Sequence, residues 1–380
     1  MIYAGIVMSN HLHIVTLNVP YPPDYGGMID SYYRIKALHD LGVKIHLHCF
    51  EYGRTRSPEL NRLCEIVHYY PRKIGFWYQF SILPYIISTR RSVQLLDNLI
   101  KDQYPILFDG LHTTYYLNNA ALSNRKKSVR VHNIEHKYYR TLARFENNLL
   151  KKIFYLSESI KLKRYENILE KADSILTVSV DEQIYFSKRY RNSLFIPSFH
   201  PYESVSILPG KGEYVLYHGD LSISENDTMV HLLIANVFSK VSFPCIIAGR
   251  NPSKHLQSSV SCSENVTLIA NPSADGMKRL IANAQIHLLP VLENNGLKLK
   301  LLLALYGGRH CVVNDQMVDG TYLKEICHVA NSYQEMVLEI QSLMVQPFTT
   351  EMIETRQQLL KTHYNNQING RRMMEEVMSS

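Results

Sequence analysis

The segment LLPVLENNGLKLKLLLALYGGRHCVVND, residues 288–315, alternates between strand-like and helix-like patterns. The apolar run 286–289 ends at Pro290 and predicts a buried strand of a parallel sheet. A polar loop follows, then an apolar helical segment (297–306) that two glycines end, and the run 311–313 starts the next strand. This order places backbone N–H groups and the positive end of a helix dipole at the carboxyl edge of a sheet.

Two lysines, Lys298 and Lys300, lie in the first turn of this predicted helix. A cation at that position opposes the helix dipole, which favours negative charge near a helix N-terminus. The pair is accounted for if an anion binds between the lysines and the helix end. Both side chains could equally project into solvent, and the residue types alone do not choose between the two interpretations.

The composition is that of a globular protein of 380 residues, 46% of them hydrophobic and 20% charged, which excludes disordered and fibrous classes. One hydrophobic core rarely spans so long a chain, so two domains are expected. The net charge of +7 is compatible with anionic substrates, nucleic acid or an anionic membrane surface. The six cysteines show no paired spacing, which indicates reduced thiols in a cytoplasmic protein, and no apolar stretch reaches the length of a membrane span.

The N-terminal part begins with a βαβ pattern. Residues 11–19 predict the first strand, 29–41 a helix and 43–50 the second strand. Gly26 and Gly27 lie in the predicted loop between the first strand and the helix. Paired glycines let a ligand approach the backbone closely, but they also occur wherever a turn is tight.

A cluster of polar groups follows another predicted strand of the N-terminal part. Residues 128–131 are strand-like, and His132, Asn133 and Glu135 come after them. Ligands of open α/β sheets bind outside the carboxyl ends of the strands. A lone histidine is more often structural than catalytic, but this position favours a functional role for His132.

An aromatic and aliphatic block with basic flanks occupies residues 71–91 and contains Trp77, the one tryptophan of the chain. The block is far too short to span a bilayer. It suits an interfacial patch whose basic flanks reach lipid phosphates, and a core helix with charged ends is the alternative. The flanking residues are Arg72, Lys73, Arg90 and Arg91.

The alternation of strands and helices restarts after a linker with several prolines and glycines. The predicted organisation is an N-terminal domain (1–200), the linker (201–212), a C-terminal domain (213–350) and a final helical tract (351–380). The final tract is expected to pack back on the N-terminal domain.

The carboxyl edges of the two predicted sheets are expected to face a central cleft that binds ligands. The second domain brings one guanidinium, two ammonium groups, backbone N–H groups and a helix dipole to its edge, which together suit a diphosphate. The residues of this edge are Gly219, Arg250, Gly296, Lys298 and Lys300. The first domain contributes Gly26, Gly27, His132 and Glu135.

Several well-known catalytic patterns are missing from the sequence. It contains no G-x-G-x-x-G, P-loop, H-E-x-x-H or G-x-S-x-G pattern, so dehydrogenase, P-loop, zinc-protease and serine-hydrolase functions lack support. The chemistry that suits the cations best is transfer of a group from a diphosphate-activated donor, because the cations stabilise the leaving phosphate.

The chain resembles glycosyltransferase family 4, a set of bacterial retaining sugar transferases with the GT-B fold. The resemblance covers nearly the whole chain and depends on short motifs in a fixed order: Pro22-Pro-Asp-Tyr-Gly26-Gly27, Val131-His-Asn-Ile-Glu135 with Tyr138-Tyr139, Ala172-Asp-Ser-Ile-Leu-Thr-Val-Ser179, Tyr217-His-Gly219 with Glu225-Asn226, and Gly296-Leu-Lys-Leu-Lys300. It implies an α/β GT-B fold, in which two Rossmann-like, doubly wound parallel-sheet domains face a central cleft.

The resemblance also implies roles for residues of the N-terminal domain. Gly26 and Gly27 form a loop beside the donor phosphates and the acceptor. His132 is the catalytic residue and lies close to the transferred sugar.

In the C-terminal domain, the resemblance implies that cations hold the diphosphate of a UDP- or GDP-sugar while loop groups meet the donor sugar. No metal is expected, which agrees with the lack of a D-x-D motif in the sequence. The residues assigned to donor binding are Gly219, Arg250, Glu293, Asn295, Gly296, Lys298 and Lys300.

The chain departs from the family pattern at three places. Leu303, just before Ala304, replaces the glutamate that binds the ribose in the family. The earlier glutamate of the paired pattern aligns with Asn295, unless Glu293 takes over its role. The basic pair that follows the first strand of the second domain is missing from 219–227. Donor binding is therefore expected to differ in detail from that of the family.

The predicted function is transfer of a hexose-type sugar from a nucleoside-diphosphate sugar to a lipid-linked surface-glycan acceptor of capsule, lipopolysaccharide or exopolysaccharide. The protein would work in the cytoplasm, at the inner face of the cytoplasmic membrane. The departures motivate an alternative function, that of a non-catalytic GT-B-like partner protein in a polysaccharide-assembly complex. Nucleic-acid binding is poorly supported, because the basic residues are dispersed.

Overall fold

The computed structural model describes residues 10–293 and 298–379, which contain thirteen strands and fifteen α-helices. The strands are β1 (His11–Thr16), β2 (Lys44–Glu51), β3 (Ile66–Pro71), β4 (Ile106–Asp109), β5 (Lys127–Arg130), β6 (Ser174–Thr177), β7 (Ser193–Phe195), β8 (Tyr214–Asp220), β9 (Cys245–Arg250), β10 (Val266–Ala270), β11 (Ala284–Leu288), β12 (His310–Val313) and β13 (His328–Val329). The helices are α1 (Gly26–Asp40), α2 (Pro58–Leu63), α3 (Tyr85–Ser88), α4 (Val93–Leu99), α5 (Glu135–Phe145), α6 (Leu149–Tyr165), α7 (Val180–Ser187), α8 (Ser224–Asn236), α9 (Lys254–Ser261), α10 (Ala274–Asn283), α11 (Leu299–Gly307), α12 (Asp315–Val318), α13 (Tyr333–Leu343), α14 (Thr350–His363) and α15 (Asn366–Met378).

The chain divides into two compact units. The first takes the residues up to Arg144, the segment Asn148–Pro201 and the C-terminal segment from Tyr364. The second takes Phe145–Asn147 and Tyr202–His363. Each unit is built on one parallel sheet.

The sheet of the first unit has seven strands in the order β3-β2-β1-β4-β5-β6-β7, and its neighbouring strands are parallel. Both faces are covered, since Ile14 and Val15 of β1 point to opposite faces and belong to two different buried clusters. The strand order reverses between β1 and β4, and at such a switch point ligands bind outside the carboxyl ends of the strands.

The sheet of the second unit has six parallel strands in the order β10-β9-β8-β11-β12-β13, with the switch point between β8 and β11. Gly219 and Gly249 are paired across β8 and β9. A Cβ atom on Gly249 would lie only 2.0 Å from the carbonyl oxygen of Gly219, so the close approach of the two strands requires glycine there. The predicted α/β fold with two Rossmann-like parallel-sheet domains is confirmed.

The edge strands β3 and β13 lack a clear strand pattern in the sequence. β3 is at the edge of its sheet, where most of its residues are exposed or half-buried, so it lacks the continuous apolar run of a central strand. β13 has two residues, too few for any periodic pattern.

The helical tract at 351–380 consists of two helices, α14 in the second unit and α15 in the first. Asn365 separates them, because its side chain accepts a hydrogen bond from the N–H of Ile368 and so caps α15. Helix α15 packs on α1, where Gly370 lies against Ala37 and Leu41.

Residues 71–91 do not form one core helix. They form a 3-10 helix (Phe76–Phe80), which is largely exposed, and α3, where Ile86 is buried. Arg90 is also buried and donates hydrogen bonds to the carbonyl oxygens of Leu17 and Ile86, so its predicted contact with lipid phosphates is wrong. Among the described residues, no helix combines the length and the apolar character that crossing a membrane requires.

Candidate functional site

The switch point of the first sheet holds a buried histidine–aspartate pair. Asp109 is the last residue of β4, and His132 follows the end of the neighbouring strand β5. Nε2 of His132 donates to Oδ1 of Asp109 over 2.7 Å. The sequence predicted the position of His132 at a strand end, but only the pairing of β4 with β5 brings Asp109 to it.

The two members of this pair shift each other's pKa. Burial alone would lower the pKa of His132, but the Asp109 carboxylate outweighs burial and raises it. Burial alone would raise the pKa of Asp109, but Arg34 and the imidazolium of His132 hold it well below its usual range. His132 therefore carries its positive charge at a higher pH than an ordinary histidine does.

Helix α1 supplies a buried polar face beneath this pair. Arg34 bridges Asp30 (2.7 Å) and Asp109 (2.6 Å), and all three side chains are fully buried. The hydroxyl of Ser31 donates to Asp109. Asp30 also accepts from Arg130 at 2.8 Å, so carboxylates and guanidinium groups alternate through the network. Alternation of this kind compensates buried charges that would be costly alone.

One group of three side chains in this network has the spacing of metal ligands. Oxygen or nitrogen atoms of Asp30, Asp109 and His132 lie within 4.8 Å of one another. Arg34 and Arg130 already neutralise both carboxylates, so a cation there would meet two guanidinium groups. The group is better explained as an ion-pair network than as a metal site.

A second group with ligand spacing is His13, His46 and Asp102, on the face shared by β1 and β2. His13 Nε2 already donates to Asp102, and Nδ1 of His13 pairs with Nε2 of His48 at 2.8 Å. Arg125 also binds Asp102. Burial lowers the pKa of His13 to about 4, so it is neutral at pH 7 within this hydrogen-bonded chain. These bonds use the atoms that a metal would need.

Three buried polar atoms at this site have no hydrogen-bond partner in the described part of the chain. They are Nδ1 of His132, Nδ1 of His112 and Oε1 of Glu135. The last two lie 3.9 Å apart. Burial raises the pKa of Glu135 to about 7, although His132 acts against this shift. Buried polar groups are normally bonded, so this cluster suits a polar ligand at the carboxyl edge of the sheet.

Gly26 and Gly27 are the first two residues of α1, not residues of a loop as the sequence predicted. Tyr25 precedes them in an extended conformation, and among the described residues no side chain caps the helix. The first N–H groups of a helix have no partner within the helix. The two glycines thus place helix N–H groups, with no bulky side chains, after the loop that follows β1.

The second sheet assembles a charged cluster at its own switch point. At the carboxyl ends of β8 and β9, Arg250 forms an ion pair with Asp220 at 3.4 Å. The side chain of Asn226 donates to the carbonyl oxygen of Asp220 and accepts from Nζ of Lys300 at 3.3 Å. Arg250 and Lys300 were predicted from the sequence to share one edge, and these bonds connect them through Asn226 and Asp220.

Lys300 is held in a partly apolar setting, with Nζ 5.4 Å from the centre of the Tyr217 ring. Burial lowers its pKa to about 8, while the carboxylate of Glu225 opposes that shift. Glu225 also accepts from the backbone N–H groups of Leu292 and Glu293, which ties the loop after β11 to the start of α8. Lys300 remains mostly protonated at pH 7.

Helix α11 begins at Leu299, so Lys298 is its N-cap residue and Lys300 lies in the first turn. Asn295 and Gly296, which the sequence assigned to the donor sugar, lie outside the described residues. Leu303 packs against an apolar cluster that includes Ile281. Its environment suits leucine and would penalise a glutamate at this position.

Several residues of these two clusters were not assigned from the sequence. Asp30 and Arg34 have the i, i+4 spacing of an ion pair on the side of α1 that faces the sheet, and this is a usable signal. Asn226 belongs to a motif of the resemblance but received no role from it, and Asp109 received no role from the sequence.

No protein-family model matches the sequence. A Klebsiella pneumoniae protein described as an uncharacterized 44.6 kDa protein in the cps region is 26% identical over 313 residues, which covers 77% of this chain and 79% of that protein.

Solved structures of glycosyltransferases share the fold over nearly the whole chain. The sucrose-phosphate synthase of Thermosynechococcus elongatus has a TM-score of 0.68 at 13% identity, covering 96% of this chain and 97% of that chain. An S. aureus TarM mutant in complex with fondaparinux, alpha-GlcNAc-glycerol and UDP has a TM-score of 0.64 at 11% identity, covering 97% and 100%. Arabidopsis thaliana UGT89C1 complexed with UDP-L-rhamnose has a TM-score of 0.57 at 13% identity, covering 97% and 99%. The chain has the GT-B fold of these glycosyltransferases.

Proposed function

We propose that this chain is a family 4-type, retaining glycosyltransferase that moves a hexose-type sugar from a UDP- or GDP-sugar to a lipid-linked surface glycan. The observation that carries the proposal is the Lys300 cluster at the switch point of the second sheet, in a chain with the GT-B fold. Ligands of such sheets bind at this point.

The donor diphosphate is assigned to the cations of this cluster. Lys300 offers a half-buried ammonium group, and Arg250 offers a half-exposed guanidinium that an anion can share with Asp220. Lys298 stands at the N-terminus of α11, whose dipole also favours an anion. Charge on the leaving diphosphate is then stabilised by fixed cations, and no metal is required for this role.

His132 is assigned to the reacting sugar. Because Nε2 donates to Asp109, the unpartnered Nδ1 is the atom left to meet a ligand. Its raised pKa favours the imidazolium form, in which Nδ1 donates a hydrogen bond to an anionic or hydroxyl oxygen. Glu135 and His112 supply further polar atoms for the same ligand.

The acceptor is assigned to a polysaccharide of the cell surface. The support comes from the Klebsiella pneumoniae relative, whose description places it in a cps region, and from TarM, whose complex contains UDP and alpha-GlcNAc-glycerol. A capsule glycan grown on a lipid would place this chain in the cytoplasm, at the inner face of the membrane.

The first test is thermal stabilisation by a panel of UDP- and GDP-sugars, with and without EDTA. A ligand that binds only the folded protein raises its melting temperature. We expect a clear shift with one donor, unaffected by EDTA, and loss of that shift in Lys300→Met. Lys240→Met is the matched control, because Lys240 is exposed and precedes β9 at the opposite edge of the sheet.

The rival function, a non-catalytic partner in polysaccharide assembly, is motivated by Leu303 and the missing basic pair. It predicts that no nucleotide sugar shifts the melting temperature and that no sugar is transferred to any glycan acceptor. That result would overturn the proposed transfer. A shift that survives Lys300→Met would instead overturn the assignment of the diphosphate to this cluster.

A further inference from the structure

The first unit exposes a cluster of large apolar side chains between β3 and α3. The rings of Phe76 and Phe80 contact each other edge to face, with centroids 5.1 Å apart. The exposed fractions are 61% for Ile74, 63% for Phe76, 82% for Trp77, 70% for Phe80 and 94% for Ile82. Soluble surfaces seldom gather so many large apolar groups unless the patch binds something.

Helix α6 exposes an apolar stripe of its own. Leu149, Ile153, Leu156 and Ile160 follow the spacing of one helix side and are each 45% exposed or more. The opposite side buries Glu158 and Ser159 together with the apolar Leu162. The helix therefore packs a mixed side on the first unit and leaves a continuous row of apolar side chains exposed.

The two features adjoin each other. Oε2 of Glu158 accepts from the backbone N–H of Tyr85 at 2.6 Å, and Nζ of Lys161 donates to the carbonyl oxygen of Gln79 at 2.7 Å. The rings of Tyr85 and Phe154 also meet edge to face, with centroids 6.0 Å apart. The segment 74–82 and the stripe of α6 are called here the apolar face.

The exposed charges of the two segments that carry the apolar face, 71–91 and α6, have one sign. Residues 71–91 contain no acidic residue, and the one acid of α6, Glu158, is buried and paired with Lys161 at 2.8 Å. The exposed basic residues of the two segments are Lys73, Arg91, Lys151, Lys152, Lys163 and Arg164. An apolar surface with a cationic surround is complementary to a bilayer of anionic lipids.

We propose that the apolar face binds an anionic phospholipid membrane, with its apolar side chains in the headgroup and acyl boundary and its basic residues at the lipid phosphates. Pairing of two copies through this face would bring the two basic surrounds together, which like charges oppose. The inference deepens the proposed function, since a lipid-linked acceptor lies in a membrane. It is tested without any sugar donor, so its failure is distinguishable from failure of the transfer reaction.

Trp77, as the one tryptophan of the chain, reports directly on this face. Its fluorescence emission should shift to the blue when vesicles of phosphatidylcholine mixed with phosphatidylglycerol are added. Vesicles of phosphatidylcholine alone should cause a much smaller shift, and salt should weaken the response to the anionic ones. Flotation of the full chain with the same vesicles provides an independent measure of binding.

Substitutions separate the apolar from the ionic contribution to membrane binding. Ile153→Ser with Leu156→Ser should weaken partitioning at least about tenfold, because two exposed apolar side chains are lost from the face. Lys151→Glu with Lys152→Glu should weaken binding to the anionic vesicles at least about tenfold and reduce its dependence on salt, while the other basic residues remain. Leu338→Ser is the matched control, since Leu338 is 57% exposed on α13 of the second unit.

Three outcomes would overturn the inference. The first is that the chain does not float with anionic vesicles and Trp77 emission does not change. The second is binding that all the face variants leave intact while their melting temperatures are those of the native chain. The third is a blue shift that depends on protein concentration without lipid and accompanies a dimer in sedimentation, which would assign the face to a second copy.

Discussion

The substitution Asp109→Asn tests the buried network that supports His132. Asp109 binds Arg34 at 2.6 Å and His132 at 2.7 Å, and all three side chains are buried. Removing one partner of a buried ion pair costs about 3–5 kcal/mol of folding free energy, because the other charge stays buried without its partner. Arg34 keeps its second carboxylate, Asp30, at 2.7 Å, so the expected loss is near the lower limit, about 3 kcal/mol.

The assay is urea unfolding of the native and Asp109→Asn chains, together with an NMR titration of His132. Without the carboxylate, burial dominates and the pKa of His132 should fall below its ordinary value. Glu59→Gln is the control, because it makes the same chemical change in an exposed pair with Arg62 and should cost less than about 1 kcal/mol. A loss below about 1 kcal/mol in Asp109→Asn, or an unchanged pKa of His132, would refute the account of this network.

Three further predictions concern the site, the pH dependence and the second sheet. His132→Ala should lower sugar transfer at least about a hundredfold while the chain stays folded, and unchanged transfer would remove His132 from the reaction. Burial lowers the pKa of His200 to about 4 in the folded chain. Between pH 6.5 and 4, His200 therefore binds a proton in the unfolded chain but not in the folded one, so stability falls as the pH falls through that window. Urea unfolding at pH 6.5 and 4.5 measures the fall in the free energy of unfolding over this window, which should be about 2 kcal/mol smaller in His200→Gln than in the native chain. Glu135, with its pKa raised to about 7, changes the stability in the opposite sense, but it does so equally in both chains. Gly249→Ala should cost about 1–3 kcal/mol in thermal or urea unfolding, because its Cβ would overlap the carbonyl oxygen of Gly219, and a native melting temperature would contradict that packing.

Local sequence pattern was sufficient for the class of fold. Buried parallel strands read as short apolar runs, and glycine, proline and polar residues mark their ends, so most central strands were placed within a few residues. The same pattern predicted that His132, Arg250 and Lys300 lie near strand ends or helix starts. These properties depend on neighbours along the chain, which is why the sequence alone carries them.

The partners of those residues depend on contacts between distant parts of the chain. Asp109 reaches His132 because β4 pairs with β5, and Arg34 reaches Asp109 because α1 packs on the same sheet. Asn226 connects to Lys300 only where α8 and α11 start beside one another. No local pattern encodes such pairs, so their ion pairs and pKa shifts could not be predicted.

Helix α6 shows most directly what the sequence pattern cannot predict. Its sequence is helical and rich in both charged and apolar residues, and the usual expectation is that the apolar side chains face the core. The tertiary structure instead buries Glu158, where it pairs with Lys161 and caps the backbone of Tyr85, and leaves Ile153 and Leu156 exposed. Which side of a helix is buried is decided by what it packs against, and periodicity along the chain contains no information about that partner.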